Sequence, residues 1–267
     1  MWQAAGMCGR YASSRSADDL AAEFEVDQVD VEEKLNPDYN VAPTKTAPVV
    51  LSRLPKDAPD DADPVRQLRT LKWGLVPSWS KEPKLGRMIN ARAETVHEKP
   101  SFRRAFKTRR LIVPVDGFYE WFPTQKLGKS GKPLKQPFYL HPKSGGVLPL
   151  AGLYEFWRDR EREDGDPDAW LVTFTIITTN ATDDVGHVHD RMPMTVAPEH
   201  WKAWLDPRLD DADAIRELMA PPPPGSLEIY PVSTQVNNVR NNGPELREPL
   251  PVEDAEAVQA AVEEESG

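Results

Sequence analysis

Cysteine is nearly absent: of 267 residues only Cys8 carries a thiol. One cysteine closes no internal disulfide, so nothing in the chain depends on an oxidising compartment. Long apolar runs are absent too, with no stretch of about eighteen apolar residues to span a bilayer as a helix. Residues 1–6 have neither the basic nor the apolar region of a secretion signal. A soluble protein with no membrane partner is expected. Histidine is sparse, five in all. His187 and His189 could face one side of an extended chain, but no cysteine is to spare, and His97, His141 and His200 show no ligand spacing. No metal and no cofactor is expected. A P-loop is also missing, because Gly128-Lys129-Ser130 would need a glycine at position 123, where Pro123 stands.

What is present is ordinary globular material, 39% hydrophobic and 28% charged. Proline is unusually frequent at 27 residues, and its scatter among short apolar runs indicates many short strands and turns. Ser16 and Asp19 open a capped helix that should bury Leu20 and Phe24. Asn40–Thr44 is a turn, Ala47–Leu54 a strand, and the Asp- and Pro-rich 55–64 stretch an exposed loop. Leu68–Val76 follows as a strand, and Phe102–Thr108 as a basic helix. Leu111–Phe122 is the most apolar run and is expected to form one buried strand. With the strand resuming at Phe138 it would make a long hairpin around four lysines. Leu148–Trp157, Leu171–Thr179 and Leu227–Val232 are further strands; Glu199–Leu205 and Asp211–Met219 are helical. Without regular βαβ alternation, the expected class is α+β, a single domain with a largely antiparallel, barrel-like sheet.

The net charge of −10 argues against a nucleic-acid partner, but its distribution is uneven. Arg87 to Arg110 holds eight Lys/Arg against Glu94 and Glu98, a net of +6. Glu245 to Gly267 holds eight acids against Arg247, a net of −7. A basic belt on one face of an acidic protein can hold phosphates. Trp73, Trp79 and Trp121 beside it could stack unpaired bases or fill the core.

Chemistry is concentrated at few positions. Cys8 precedes Gly9, and if residues 1–7 are absent or removed it carries both a thiol and an α-amine. Their reference pKa values are about 8.5 and about 7.7–8.0. Glu120 stands between Tyr119 and Trp121, where a carboxylate is costly unless partnered or functional. Asn90 and Arg92 share one side of a short strand.

In order along the chain stand Met-Cys-Gly-Arg-Tyr, Asn-Val-Ala-Pro-Thr, Trp-Gly-Leu-Val-Pro-Ser-Trp and Asn-Ala-Arg-Ala-Glu-Thr. Gly-Phe-Tyr-Glu-Trp, His-Asp-Arg-Met-Pro and Pro-Val-Ser-Thr-Gln-Val-Asn follow them. Together they resemble the SOS response-associated peptidase (SRAP) family, proteins that trap abasic sites in single-stranded DNA as covalent crosslinks. The resemblance implies one compact domain over residues 8–250, acting as a monomer in the bacterial cytoplasm or nucleoid, with an acidic tail over 251–267. It makes Cys8 the nucleophile, flanked by Asn90 and Glu120 and completed by His189. Arg10, Trp73, Arg92, Trp121 and Arg191 match positions of the DNA groove. The family pattern sets Cys directly after the initiator Met, whereas seven residues precede Cys8 here. Translation from Met7, or a propeptide of residues 1–7 that the domain removes itself, would reconcile the two. Two other readings are weighed against this one. A glutamine amidotransferase with an N-terminal nucleophile also begins Cys-Gly, but its downstream pattern is not found. A non-covalent single-stranded DNA-binding module needs the tryptophans and arginines but neither Cys8 nor Glu120.

Overall fold

The computed structural model describes residues 8–31, 34–57, 59, 62–128, 130–181, 183–255 and 258, the side chains of 183, 184 and 187 excepted. The first half of the chain forms β1 (Tyr11–Ser13), α1 (Ala17–Glu23), β2 (Gln28–Asp30), β3 (Asp38–Val41), β4 (Thr46–Arg53), β5 (Val65–Trp73), β6 (Asn90–Arg92), α2 (Arg103–Thr108) and β7 (Arg110–Val115). The second half forms β8 (Gly117–Leu127), β9 (Pro133–Pro142), β10 (Leu148–Arg158), β11 (Trp170–Asn180), α3 (Asp183–Val188), β12 (Arg191–Pro193), α4 (Trp201–Leu205), α5 (Ala212–Glu217) and β13 (Leu227–Pro231).

Two sheets face each other. One runs β13-β9-β8-β1-β3; the other runs β12-β11-β10-β7-β4-β5-β2, with β6 beside β11. The second sheet closes on itself, because β5 also pairs in parallel with β11, Lys72 opposite Thr173 and Trp73 opposite Phe174. Strands β4, β5, β11, β10 and β7 thereby form a five-stranded barrel, so the α+β, barrel-like expectation holds. The apolar layer between barrel and facing sheet contains Cys8, Tyr11, Trp73, Val113, Phe118 and Phe174. A second layer packs the helices onto the barrel through Leu20, Phe24, Phe106, Trp204 and Ile215. The Ser16–Asp19 capping box is formed and Leu20 and Phe24 are buried as the sequence indicates, each contributing about 1.5–3 kcal/mol. No helix among the described residues is long and apolar enough to cross a membrane.

Residues 111–122 are not one strand. The run divides at Asp116 into β7 of the barrel and β8 of the facing sheet. Asp116 sits at the crossing, its amide donating to the Ala12 carbonyl and its carboxylate accepting from the Ser14 amide and pairing with Arg247. Gly117 is required there, since a Cβ would lie 2.5 Å from the Leu140 carbonyl oxygen. Apolar continuity reports burial and is blind to a change of sheet. Two other expectations also shift. Asn40 and Val41 end β3, so the turn after them starts at Pro43. The hairpin strands reach Leu127 and restart at Pro133, well into the expected lysine loop.

Candidate active site

The facing sheet brings the start of the described chain to Glu120. β1 pairs antiparallel with β8, Tyr11 opposite Phe118, and the Tyr119 amide donates to the Arg10 carbonyl. Carried on, this register sets Gly9 opposite Glu120, and the backbone N–H of the preceding Cys8 donates to Glu120 Oε1 at 2.7 Å. Asn90 arrives from β6 through its pairing with β11, and its Nδ2 lies 3.4 Å from the Cys8 carbonyl oxygen. His189 arrives from the turn after α3, its Nε2 3.9 Å from Glu120 Oε2. Four residues spread over 182 positions of sequence thus meet around Cys8 and Glu120.

Their electrostatics follow from burial. Cys8 and Glu120 are almost wholly enclosed. Desolvation pushes the Cys8 thiol well above its ordinary range, and the neighbouring Glu120 charge adds to the effect. Desolvation also raises the Glu120 carboxyl to about 8; the hydrogen bond from Cys8 opposes this without cancelling it. His189 is lowered by burial, against a smaller upward pull from Asp190. Its Nδ1 accepts the Arg191 backbone N–H at 3.1 Å, which places the proton of the neutral ring on Nε2, facing Glu120. Asp190 also lies 3.1 Å from Nδ1, a contact that would favour a charged ring, but that carboxylate is 87% exposed and screened by water. The resting site therefore holds a neutral thiol, a carboxyl poised near neutrality and a neutral imidazole.

Beside Cys8 opens a cleft of about 390 Å³, lined by Gly9, Arg10, Glu120, Trp121, Lys135, His189 and Asn237. Arg10 lies 5.6 Å from the Trp121 ring centre, with its guanidinium anchored on Asn40 Oδ1 and the Val236 carbonyl. Trp121 Nε1 donates to Asn237 Oδ1 at 2.6 Å. Among the described residues no group of three His, Cys, Asp or Glu side chains is placed to hold a metal ion. His189 follows a short helix, so the extended His187–His189 face is not formed; the His187 side chain lies outside the described residues.

The sequence profile of the family described as SOS response associated peptidase (SRAP) matches residues 7–239. The abasic site processing protein YoqW of Bacillus subtilis is 40% identical over 91% of this chain and 99% of its own length. The chicken (Gallus gallus) abasic site processing protein HMCES is 34% identical over 82% of this chain and 68% of its own. The chain belongs to the SRAP family. A crystal structure of a Bacteroides thetaiotaomicron protein, 26% identical, matches with a TM-score of 0.71 over 91% of this chain and all of its own.

Of the residues matched to the SRAP groove, Arg10 and Trp121 line the cleft and Arg92 is exposed nearby on β6. Two others are differently employed. Trp73 has no exposed surface; it lies between Tyr11 and Phe174, and its Nε1 donates to the Ile89 carbonyl, so it offers no face to a base. Arg191 is buried and grips both carboxylate oxygens of Glu94, Asn180 Oδ1 and the Thr178 carbonyl, leaving no guanidinium face for a phosphate. The basic belt is trimmed likewise. Arg110 turns inward to cap carbonyls at the ends of α2 and α4, and Arg109 pairs with buried Glu155. Trp79, by contrast, is 60% exposed. Lys135 and Asn237 join the cleft lining through the fold, the first from the lysine stretch of the hairpin and the second from the end of a family motif.

Proposed function

We propose that this SRAP protein processes abasic sites in DNA by trapping them on Cys8. The observation that carries the reading is the 2.7 Å contact between the Cys8 nitrogen and a buried carboxyl near its titration point. In this reading residues 1–7 are first removed. The Cys8 thiol attacks the carbonyl of residue 7, the acyl group passes from nitrogen to sulfur, and water hydrolyses the thioester, freeing the amine. Cys8 has φ +32°, a strained backbone for a residue with a Cβ, and loss of the preceding carbonyl relieves it.

The free amine then meets the abasic sugar. His189 passes its Nε2 proton to the ring oxygen while the anomeric hydroxyl's proton is relayed back to Nε2 through Glu120, so the sugar opens to its aldehyde and the imidazole ends neutral. The amine adds to the aldehyde carbon, forming a C–N bond, and Glu120 carries a proton from nitrogen to oxygen. Burial favours the protonated carboxyl, so Glu120 can give a proton as water leaves the carbinolamine and take one back as the imine forms. The thiol closes on the imine carbon and its proton goes to nitrogen, giving a five-membered thiazolidine with net loss of one water. Ring closure is favoured because intramolecular partners reach effective molarities of roughly 10⁵ M or more. Asn90 orients the Cys8 backbone, and Trp121 and Arg10 hold the neighbouring nucleotides.

The test is a denaturing gel after mixing the protein with a single-stranded abasic oligonucleotide, followed by intact mass. A heat-stable adduct weighing protein-from-Cys8 plus oligonucleotide less one water is expected. A heat-stable adduct of protein that keeps Met7 would rule out the ring, and binding without any adduct would leave a non-covalent single-strand binder.

A further inference from the structure

Beyond Trp121 the β8–β9 hairpin leaves its sheet. β13 accompanies β9 only over Phe138–Pro142, and β1 accompanies β8 only at Gly117 and Phe118. What continues is a two-stranded ribbon with no flanking strand among the described residues, which at about 3.3 Å per residue extends about 20 Å from Trp121 to Leu127. Its register steps from Pro123 opposite Lys135 to Leu127 opposite Pro133, so four residues of β8 are answered by two of β9. Such a bulge bends and twists a ribbon.

The charge of this ribbon inverts that of the protein. In a chain with 43 acidic residues, the stretch from Trp121 to Pro137 contains none, and it places lysines at every third position, 126, 129, 132 and 135. Lys126, Lys132 and Lys135 are exposed, and among the described residues none of them pairs with a carboxylate. Leu127 and Leu134 stand between them, 66% and 51% exposed. At the root of the ribbon, Trp121 and Lys135 line the cleft next to Glu120 and His189. A cationic path with apolar faces therefore starts at the site and runs outward.

We propose that this ribbon is an arm that grips a single-stranded nucleic acid outside the cleft, Lys126 and Lys132 each neutralising one phosphate while Leu127 and Leu134 pack against unpaired bases. The inference rests on DNA being the partner, as argued above, and adds where the strand runs once it leaves the site.

The experiment compares the parent with Lys126→Gln/Lys132→Gln, two exposed changes that leave the fold intact. Binding is read by fluorescence anisotropy at several salt concentrations. The probes are undamaged strands of about six and about thirty nucleotides, one near the lower end of the span that a binding module covers and one beyond its upper end. On the long strand, losing two phosphate contacts should lower the salt slope by about 1.4 and weaken binding about 25-fold at 0.1 M salt. On the short strand the variant should match the parent, and crosslinking of a saturating abasic strand should be unchanged. A parental slope on the long strand overturns the arm and leaves the lysines to another partner, such as an acidic protein. Equal losses on both strands also overturn it, since the lysines would then act at the cleft. Failure of the parent itself to bind either strand would overturn the DNA reading first, and the arm with it.

Discussion

Replacing Glu120 with glutamine should make the unprocessed protein more stable, and increasingly so as the pH rises. The carboxyl is buried and its pKa is moved from 4.5 to about 8, with desolvation as the main cause. Between those values the folded state binds a proton that the unfolded chain has released, so stability falls as pH rises through the window. At about 1.4 kcal/mol per pKa unit, holding Glu120 in place costs roughly 3 kcal/mol at pH 7 and approaches roughly 5 kcal/mol above pH 8. Glutamine mimics the protonated form and keeps an oxygen to accept the Cys8 N–H. The comparison belongs in a Cys8→Ala background, where residues 1–7 stay attached and no ammonium forms beside the carboxyl. Urea denaturation from pH 5 to pH 9 should show Cys8→Ala losing stability with pH while Cys8→Ala/Glu120→Gln stays nearly level. Parallel curves would refute the raised pKa, and the proton-shuttle role would lose its physical basis.

In the processed protein, Glu120→Gln should slow crosslinking by roughly 10² to 10⁴ while binding to undamaged single strands holds, measured by gel and anisotropy. Cys8→Ser keeps the amine but weakens the second nucleophile, so the heat-stable adduct should vanish even where a reducible imine can be captured. Arg92→Ala should lower the salt slope of single-strand binding by about 0.7, one phosphate contact, without changing crosslinking at saturating DNA. Gly74→Ala should destabilise by at least about 1–3 kcal/mol in urea denaturation, because Gly74 has φ +119° and a Cβ would lie 2.6 Å from the Gly86 nitrogen.

Much of this architecture could be read from the chain, and the exceptions share a cause. The α1 capping box is a signal contained within four residues, β10 is a long leucine and aromatic run and β11 a long β-branched one, so local pattern is enough. The split at Asp116 depends on what lies across the space, the Ala12 carbonyl and Arg247, which no local pattern reports. The site divides in the same way. Glu120 stood out because a carboxylate inside an apolar run must be partnered, and the partner is the Cys8 nitrogen. Lys135 was hidden because a lysine in a polar loop looks like any solvated lysine until the hairpin register sets it beside Trp121. Trp73 and Arg191 were misassigned for the opposite reason: aromatic and guanidinium groups suit a nucleic-acid groove and a core equally well, and only burial distinguishes them.

Those two residues also show how the site is held. Trp73 fills the space behind Tyr11 on β1 and ties the Ile89 carbonyl, one residue before Asn90, so it fixes the strand that leads from Cys8 and the residue that touches its carbonyl. Arg191 clamps β12 to Glu94 and to the Thr178 carbonyl of β11, while its own amide sets the tautomer of His189. Neither needs to touch DNA to matter to chemistry there. A carboxyl with a pKa near neutrality is useful only while water is kept out and its two partners stay within reach, and both conditions depend on packing behind the reacting atoms. The motifs of the chain therefore carry two kinds of residue, those that face the cleft and those that hold them in position. The second kind outlines the proposed nucleic-acid site in the sequence without forming its surface.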